Sequence, residues 1–219
     1  MANGFKVEIW GDYALFSRPE LKVERVSYDV ITPSAARGVL EAVYWKPAIR
    51  YVIDEIAVCT PIRFENIRRN EVSSKASIGK AYIAASSTAE RAQRASMVLK
   101  NVRYIVTFHF EMTDKAGERD NEGKFTDNIR RRLAKGQHYY MPYLGTREFP
   151  ANIRLILPGE TPPAHIVENR SFGLMFHDFD YKTETKKDGS IAVKEFVPVY
   201  FRAEMVNGII DLREVKLLR

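Results

Sequence analysis

Apolar residues recur at one spacing and then another along the first 157 residues, and the order of these switches leaves few ways to fold. In "FKVEIW", Phe5, Val7 and Ile9 alternate with Lys6 and Glu8, the mark of a half-buried strand. "TPSAARGVLEAVYWKP" changes to a helical period: Ala36, Val39, Leu40 and Val43 form one stripe, Thr32 can cap it and Pro33 fits its first turn. Pro47 disfavours helical geometry at Lys46, so the helix is expected to end there. "IRYVIDEIAVCTPIRF" reads as one long strand. "VRYIVTFHFEM" alternates again, with Val102, Tyr104, Val106, Phe108, Phe110 and Met112 on one face. "NEGKFTDNIRRRLAKG" returns to the helical period through Phe125, Ile129 and Leu133, with Gly136 as its stop, and "NIRLIL" is a short strand.

The order is β-α-β-β-α-β. The expected fold is therefore α+β: a ferredoxin-like (RRM-like) antiparallel sheet with two helices on one face. Residues 65–99 form a basic insertion, rich in Ser and Ala, between the second and third strands, and part of it is expected to act as a mobile arm. Residues 165–219 read as all-β. The Asp-Gly of "KKDGS" and the Asn-Gly of "VNGII" predict two antiparallel hairpins. The expected division is a ferredoxin-like domain over 1–160 and a C-terminal β-sheet domain over 161–219.

The net charge of +6 favours anionic partners. Cys59 stands alone, which excludes an internal disulfide and a cysteine-rich zinc site. The N-terminus lacks the apolar core of a signal peptide and no apolar run is long enough to span a membrane, so the expected compartment is the cytoplasm. There is no Walker loop, no HExxH motif and no DxD-type carboxylate cluster, so neither a metal nor another cofactor is expected. A metal-free reaction on a polyanion fits: in RNA the 2′-hydroxyl attacks the neighbouring phosphate, and the protein supplies a base, positive charge and a proton.

The run from Val7 to Val58, with "GDYALF", "YWKP", "NEGK" and "YLGTREF" in that order, resembles the CRISPR-associated Cas five family in its subtype I-C (Dvulg) form. The resemblance implies a metal-independent endoribonuclease. Such a protein cuts the CRISPR repeat RNA hairpin at the 3′ base of its stem and leaves a 2′,3′-cyclic phosphate. It then stays on the mature crRNA 5′ handle with other subunits of the type I-C interference complex. Double-stranded DNA is a candidate partner beside RNA; a membrane is not. Processing members carry a catalytic Tyr, Lys and His, the last two adjacent in "GKH". Here Tyr44 stands in "YWKP" and Lys124 in "GKF", where Phe125 replaces the histidine and joins the apolar stripe.

His138, two residues past the helix stop, is the candidate substitute, since an imidazole titrates near neutral pH. It can approach Lys124 only if the second helix is short or broken. Lys124 shares a helix face with Asn128, Arg131 and Lys135. Lys46, Arg68, Arg69, Arg130, Arg131, Arg132 and Lys135 are candidates for the RNA backbone, with Tyr139 and Tyr140 to stack unpaired bases. His109 reads as structural; His165 and His177 lie in no motif. Two other readings stand beside the enzyme: a non-catalytic 5′-handle-binding subunit, which Phe125 favours, and a basic nucleic-acid-binding protein with no CRISPR role.

Overall fold

The computed structural model describes residues 4–21, 23–75, 77–79, 82, 86–185 and 191–219. Eight elements carry the chain as far as Leu155: β1 (Phe5–Ala14), β2 (Arg25–Val26), α1 (Pro33–Val43), β3 (Ile49–Val58), β4 (Phe64–Val72), β5 (Arg91–Met112), α2 (Glu122–Ala134) and β6 (Asn152–Leu155). Three more complete it: β7 (Arg170–Thr185), β8 (Ile191–Met205) and β9 (Ile209–Asp211). The class is α+β, with antiparallel pairing throughout except for the short parallel β2–β5 contact.

The central sheet runs in the order β6-β1-β5-β3-β9. Alternation along β1, β3 and β5 sends Phe5, Val7, Ile9, Tyr51, Ile53, Val106 and Phe108 to one buried face. Val39, Leu40 and Val43 of α1 and Phe125, Ile129 and Leu133 of α2 join the same core. Burial of these side chains, at roughly 25 cal/mol per Å² of apolar surface, is what fixes the helices on the sheet.

Local chemistry sets the helix ends. The Thr32 hydroxyl accepts from the Ala35 amide at 3.2 Å and Pro33 opens α1. The Asn121 side chain caps α2 by accepting from the Lys124 amide at 2.9 Å. Gly136, with φ +61, ends that helix in the left-handed conformation. α1 ends at Val43, three residues before Lys46, because Tyr44 already adopts extended backbone.

Two strand expectations change. The stretch 49–64 is not one strand: it breaks after Val58, in a segment where Pro61 lacks an amide donor, and resumes as β4. The insertion is a ribbon, with β4 paired from Phe64↔Leu99 to Val72↔Arg91 along the first half of β5. Its alternation is hidden by the small and polar residues of both strands. At the C-terminus β7 and β8 pair as two long antiparallel strands; the Asp188–Gly189 turn expected between them lies outside the described residues. Asn207 and Gly208 take φ +50 and +76, as a tight two-residue turn requires. Val206 and Ile209 bond each other across this turn, at 2.8 and 3.0 Å, so the Asn-Gly hairpin closes as expected, and the strand after it then pairs with β3 and buries Ile210.

Candidate active site

Tyr44 is the C-terminal cap of α1 and is buried at 7% exposure. The carbonyls around it are held from outside the helix. The Tyr139 amide donates to Ala42 at 2.7 Å, Arg132 Nη1 to Val43 at 2.8 Å and the Tyr51 hydroxyl to Tyr44 at 2.7 Å. The Arg132 guanidinium lies 5.3 Å from the centre of the Tyr44 ring. Burial raises the Tyr44 phenol above its ordinary value, and the positive charges of Lys124 and Arg132 oppose that rise.

Lys124 lies in the first turn of α2, where its Nζ pairs with Asp120 at 2.7 Å. Its ammonium holds the Asp120 carboxyl below the usual range, helped by the Gly117 amide and by Lys46. Phe125 stands between the two candidate groups: its ring centre is 6.4 Å from that of Tyr44 and 5.7 Å from Lys124 Nζ. Phe125 is 1% exposed and packs edge-on against Phe110, so the position of the family histidine is filled by core.

His138 is exposed beyond the far end of α2. That helix is unbroken over 13 residues. A rise of about 1.5 Å per residue puts Lys124 and the Ala134 end about 15 Å apart. The short or broken helix that would bring His138 towards Lys124 is not found. Tyr139 and Tyr140 are exposed beside it with ring centres 6.2 Å apart, and Tyr143 lies 6.5 Å from Tyr140.

The arginines of α2 point three ways, since successive helix residues are about 100° apart. Arg130 reaches back over the Phe5 ring, Arg131 bonds Asn128 at 2.7 Å, and Arg132 turns in to α1. Lys124, Asn128, Arg131 and Lys135 form one ridge, with Asn128 Nδ2 donating to the Lys124 carbonyl at 2.8 Å. Lys46 is exposed close to Asp120 and Arg68 is exposed on the ribbon. Arg69 is not open: it donates to Glu148 at 2.5 Å and to Ser96 at 2.8 Å.

Sequence reasoning passed over two contributors. Trp45, 57% exposed next to Tyr44, presents an open aromatic face; the clue was a tryptophan just outside the apolar stripe. Tyr51 shows in the sequence only as part of a strand. Burial pushes its phenol up strongly, which keeps it a donor to the Tyr44 carbonyl. His109 pairs with Asp54 at 2.9 Å between β5 and β3, a structural contact. Burial pushes the Cys59 thiol up to about 11, so it is no nucleophile at neutral pH. Among the described residues no group of three or more His, Cys, Asp or Glu is placed to hold a metal ion. No helix there is long and apolar enough to cross a membrane.

Fold and site define a class: an α+β protein in which a buried phenol lies beside an ammonium and a guanidinium. The Cas5d family model, described as CRISPR-associated protein (Cas_Cas5), matches residues 4–213, and the chain belongs to that family. A protein of Mannheimia succiniciproducens named CRISPR pre-crRNA endoribonuclease Cas5d is 46% identical over 97% of this chain and 96% of its own length. One of the same name from Thermus thermophilus is 39% identical over 94% of this chain and 90% of its own. Among solved structures, one titled "Crystal Structure of CRISPR-associated Protein" has a TM-score of 0.68 at 22% identity, covering 97% of this chain and 93% of that one. A functionally uncharacterized protein of Streptococcus mutans has a TM-score of 0.66 at 24% identity, with the same coverage. These two carry the fold alone.

Proposed function

We propose that this chain is the endoribonuclease that cuts CRISPR precursor RNA at its repeat hairpin, by 2′-hydroxyl attack and without a metal. The observation that carries the reading is the meeting of Tyr44 and Lys124 across Phe125, in a chain 46% and 39% identical to proteins named for this activity. The 2′-oxygen forms a bond to phosphorus and the bond from phosphorus to the 5′-oxygen breaks, leaving a 2′,3′-cyclic phosphate. The proton of the 2′-hydroxyl passes to the Tyr44 phenolate. The Lys124 ammonium stabilises the charged phosphorane and gives its proton to the leaving 5′-oxygen. Water then restores both groups. His138, exposed beside Tyr139, meets the RNA rather than the reacting atoms.

The Lys124–Arg131–Lys135 ridge, Lys46 and Arg130 receive the backbone, and Tyr139, Tyr140 and Trp45 stack unpaired bases. Arg68 extends the contact along the ribbon. After cleavage the protein keeps the 5′ handle and joins the other subunits of a type I-C interference complex, with double-stranded DNA as a further ligand. Its work falls in the cytoplasm. The β6-β1-β5-β3 order, with α1 and α2 as crossovers, supports reading residues 1–160 as a ferredoxin-like processing module and 161–219 as its β-rich companion. Phe125 in the core favours one competing reading, a handle-binding subunit without chemistry.

The test is the pure protein with its own repeat RNA in excess EDTA. Cleavage to a 2′,3′-cyclic end is expected, and none on RNA with a 2′-deoxy nucleotide before the cut. Magnesium dependence, or cutting of the deoxy substrate, overturns the mechanism. Tight binding with no cutting selects the competing reading.

A further inference from the structure

We propose that Arg132 is a positioning residue for Tyr44, holding the end of α1 through the Val43 carbonyl with its guanidinium over the phenol ring, and is not a contact to the RNA backbone. This rests on Tyr44 being the catalytic phenol.

A helix ends with four carbonyls that lack partners within it. At the end of α1, Ala42, Val43 and Tyr44 each receive a donor, from three separate elements: the loop after α2, α2 itself and β3. Tyr44 is extended, at φ −153 and ψ 122, and its amide makes the last helical hydrogen bond, to Leu40 at 3.0 Å. The three external donors hold the carbonyls that the helix leaves open. Only the donor from Arg132 is charged, and a cation at a helix C-terminus is favoured twice, by the hydrogen bond and by the helix dipole.

The same guanidinium lies over the ring it helps to hold, 5.3 Å from its centre. A planar guanidinium can stack and donate at once, which an ammonium cannot. The charges facing the phenol are Lys124, Arg131 and Arg132 from α2 and Asp120 ahead of that helix, with Tyr51 beneath. Arg132 is the member of the set bonded to the end of α1, at the Val43 carbonyl. To grip a phosphate it would have to abandon the Val43 carbonyl.

The test compares the native protein with Arg132→Gln and Arg132→Lys in three measurements. They are the salt dependence of repeat-RNA affinity, the single-turnover cleavage rate against pH, and the titration of Tyr44 followed by NMR of ring-labelled tyrosine without RNA. Arg132→Gln is expected to move the Tyr44 titration upward and to slow cleavage on the order of tenfold or more. The salt slope should stay unchanged. Arg132→Lys should restore part of the rate and move the titration less. A salt slope smaller by about one unit, with the Tyr44 titration unmoved, overturns the proposal and makes Arg132 a phosphate contact. Should Arg132→Gln fail to fold, the lysine variant decides by the same two readouts. Full activity in Tyr44→Phe sinks the catalytic reading alone, because the NMR titration and the salt slope still report where Arg132 acts.

Discussion

Two regions of this protein are rich in arginine and they use it oppositely. On the ribbon, Glu71 gathers Arg25, Arg69 and Arg94 within 4.0 Å, and Arg69 also holds Glu148 and Ser96. On α2, no carboxylate among the described residues pairs with Arg130, Arg131, Arg132 or Lys135. Composition would score the two alike. A paired guanidinium has spent its charge inside the fold, while an unpaired one keeps its field for a ligand. Arg69 and Arg94 hold the ribbon together while Arg68 stays open; on α2, Arg130, Arg131 and Lys135 keep no carboxylate partner and Arg132 turns in to Val43.

The largest effect expected from breaking this contrast lies in the chemistry. Tyr44→Phe and Lys124→Ala should each slow single-turnover cleavage on the order of a hundredfold or more. RNA affinity should fall far less. Because burial raises the Tyr44 phenol, the native rate should climb with pH through the neutral range without a break near the ordinary histidine pKa. His138→Ala should leave that profile unchanged; loss of a near-neutral limb in this variant would return the histidine to the reaction.

Next in size is binding. Arg130→Ala, Arg131→Ala and Lys135→Ala together should weaken RNA affinity and lower its salt slope by up to about three units. Arg69→Ala should leave the slope alone and destabilise the fold by about 1–3 kcal/mol, since it strips partners from Ser96 and Glu148. Thermal denaturation beside filter binding at several salt concentrations separates the two outcomes, and a matched loss of slope would erase the contrast between the regions.

The smallest effect is one of pH. Although burial pushes the Glu148 carboxyl up, Thr146 and Arg69 together hold it below its ordinary value. A carboxyl lowered on folding stabilises above its unfolded pKa and loses that contribution as pH falls through the folded one. Below about pH 4.5 the Arg69–Glu148 link should fade, at a cost of about 1 kcal/mol or less given its exposure to solvent. Glu148→Gln should flatten this acid limb in melts taken from pH 6 to 3.

Much of this was legible in the chain. Thr32, Pro33 and Gly136 are local devices whose meaning does not depend on the rest of the molecule, and they mark the helices as read. Phe125 falls on an apolar stripe and is core. The ribbon escapes a sequence reading because its stability comes from pairing across the chain, not from a pattern within either strand. Arg132 groups with Arg130 and Arg131 because neighbours in sequence look like neighbours in space; on a helix they diverge. The hold on Tyr44 is invisible for the same reason as the ribbon, since Arg132 and Tyr139 reach it from 88 and 95 residues further on, by the differences 132 − 44 and 139 − 44.

The strand β5 runs 22 residues without interruption and belongs to the ribbon at one end and to the centre of the sheet at the other. At about 3.3 Å per residue, each of its two arms reaches on the order of 35 Å. β4 braces its first part, and β1 and β3 brace the rest, with Asn101 at the join. Asn101 takes φ +51, in the left-handed region, so the strand departs from extended geometry at that join. The arm beyond it carries Phe110, which packs against Phe125. The covalent path from the ribbon to the packing beneath Tyr44 therefore runs through one left-handed residue.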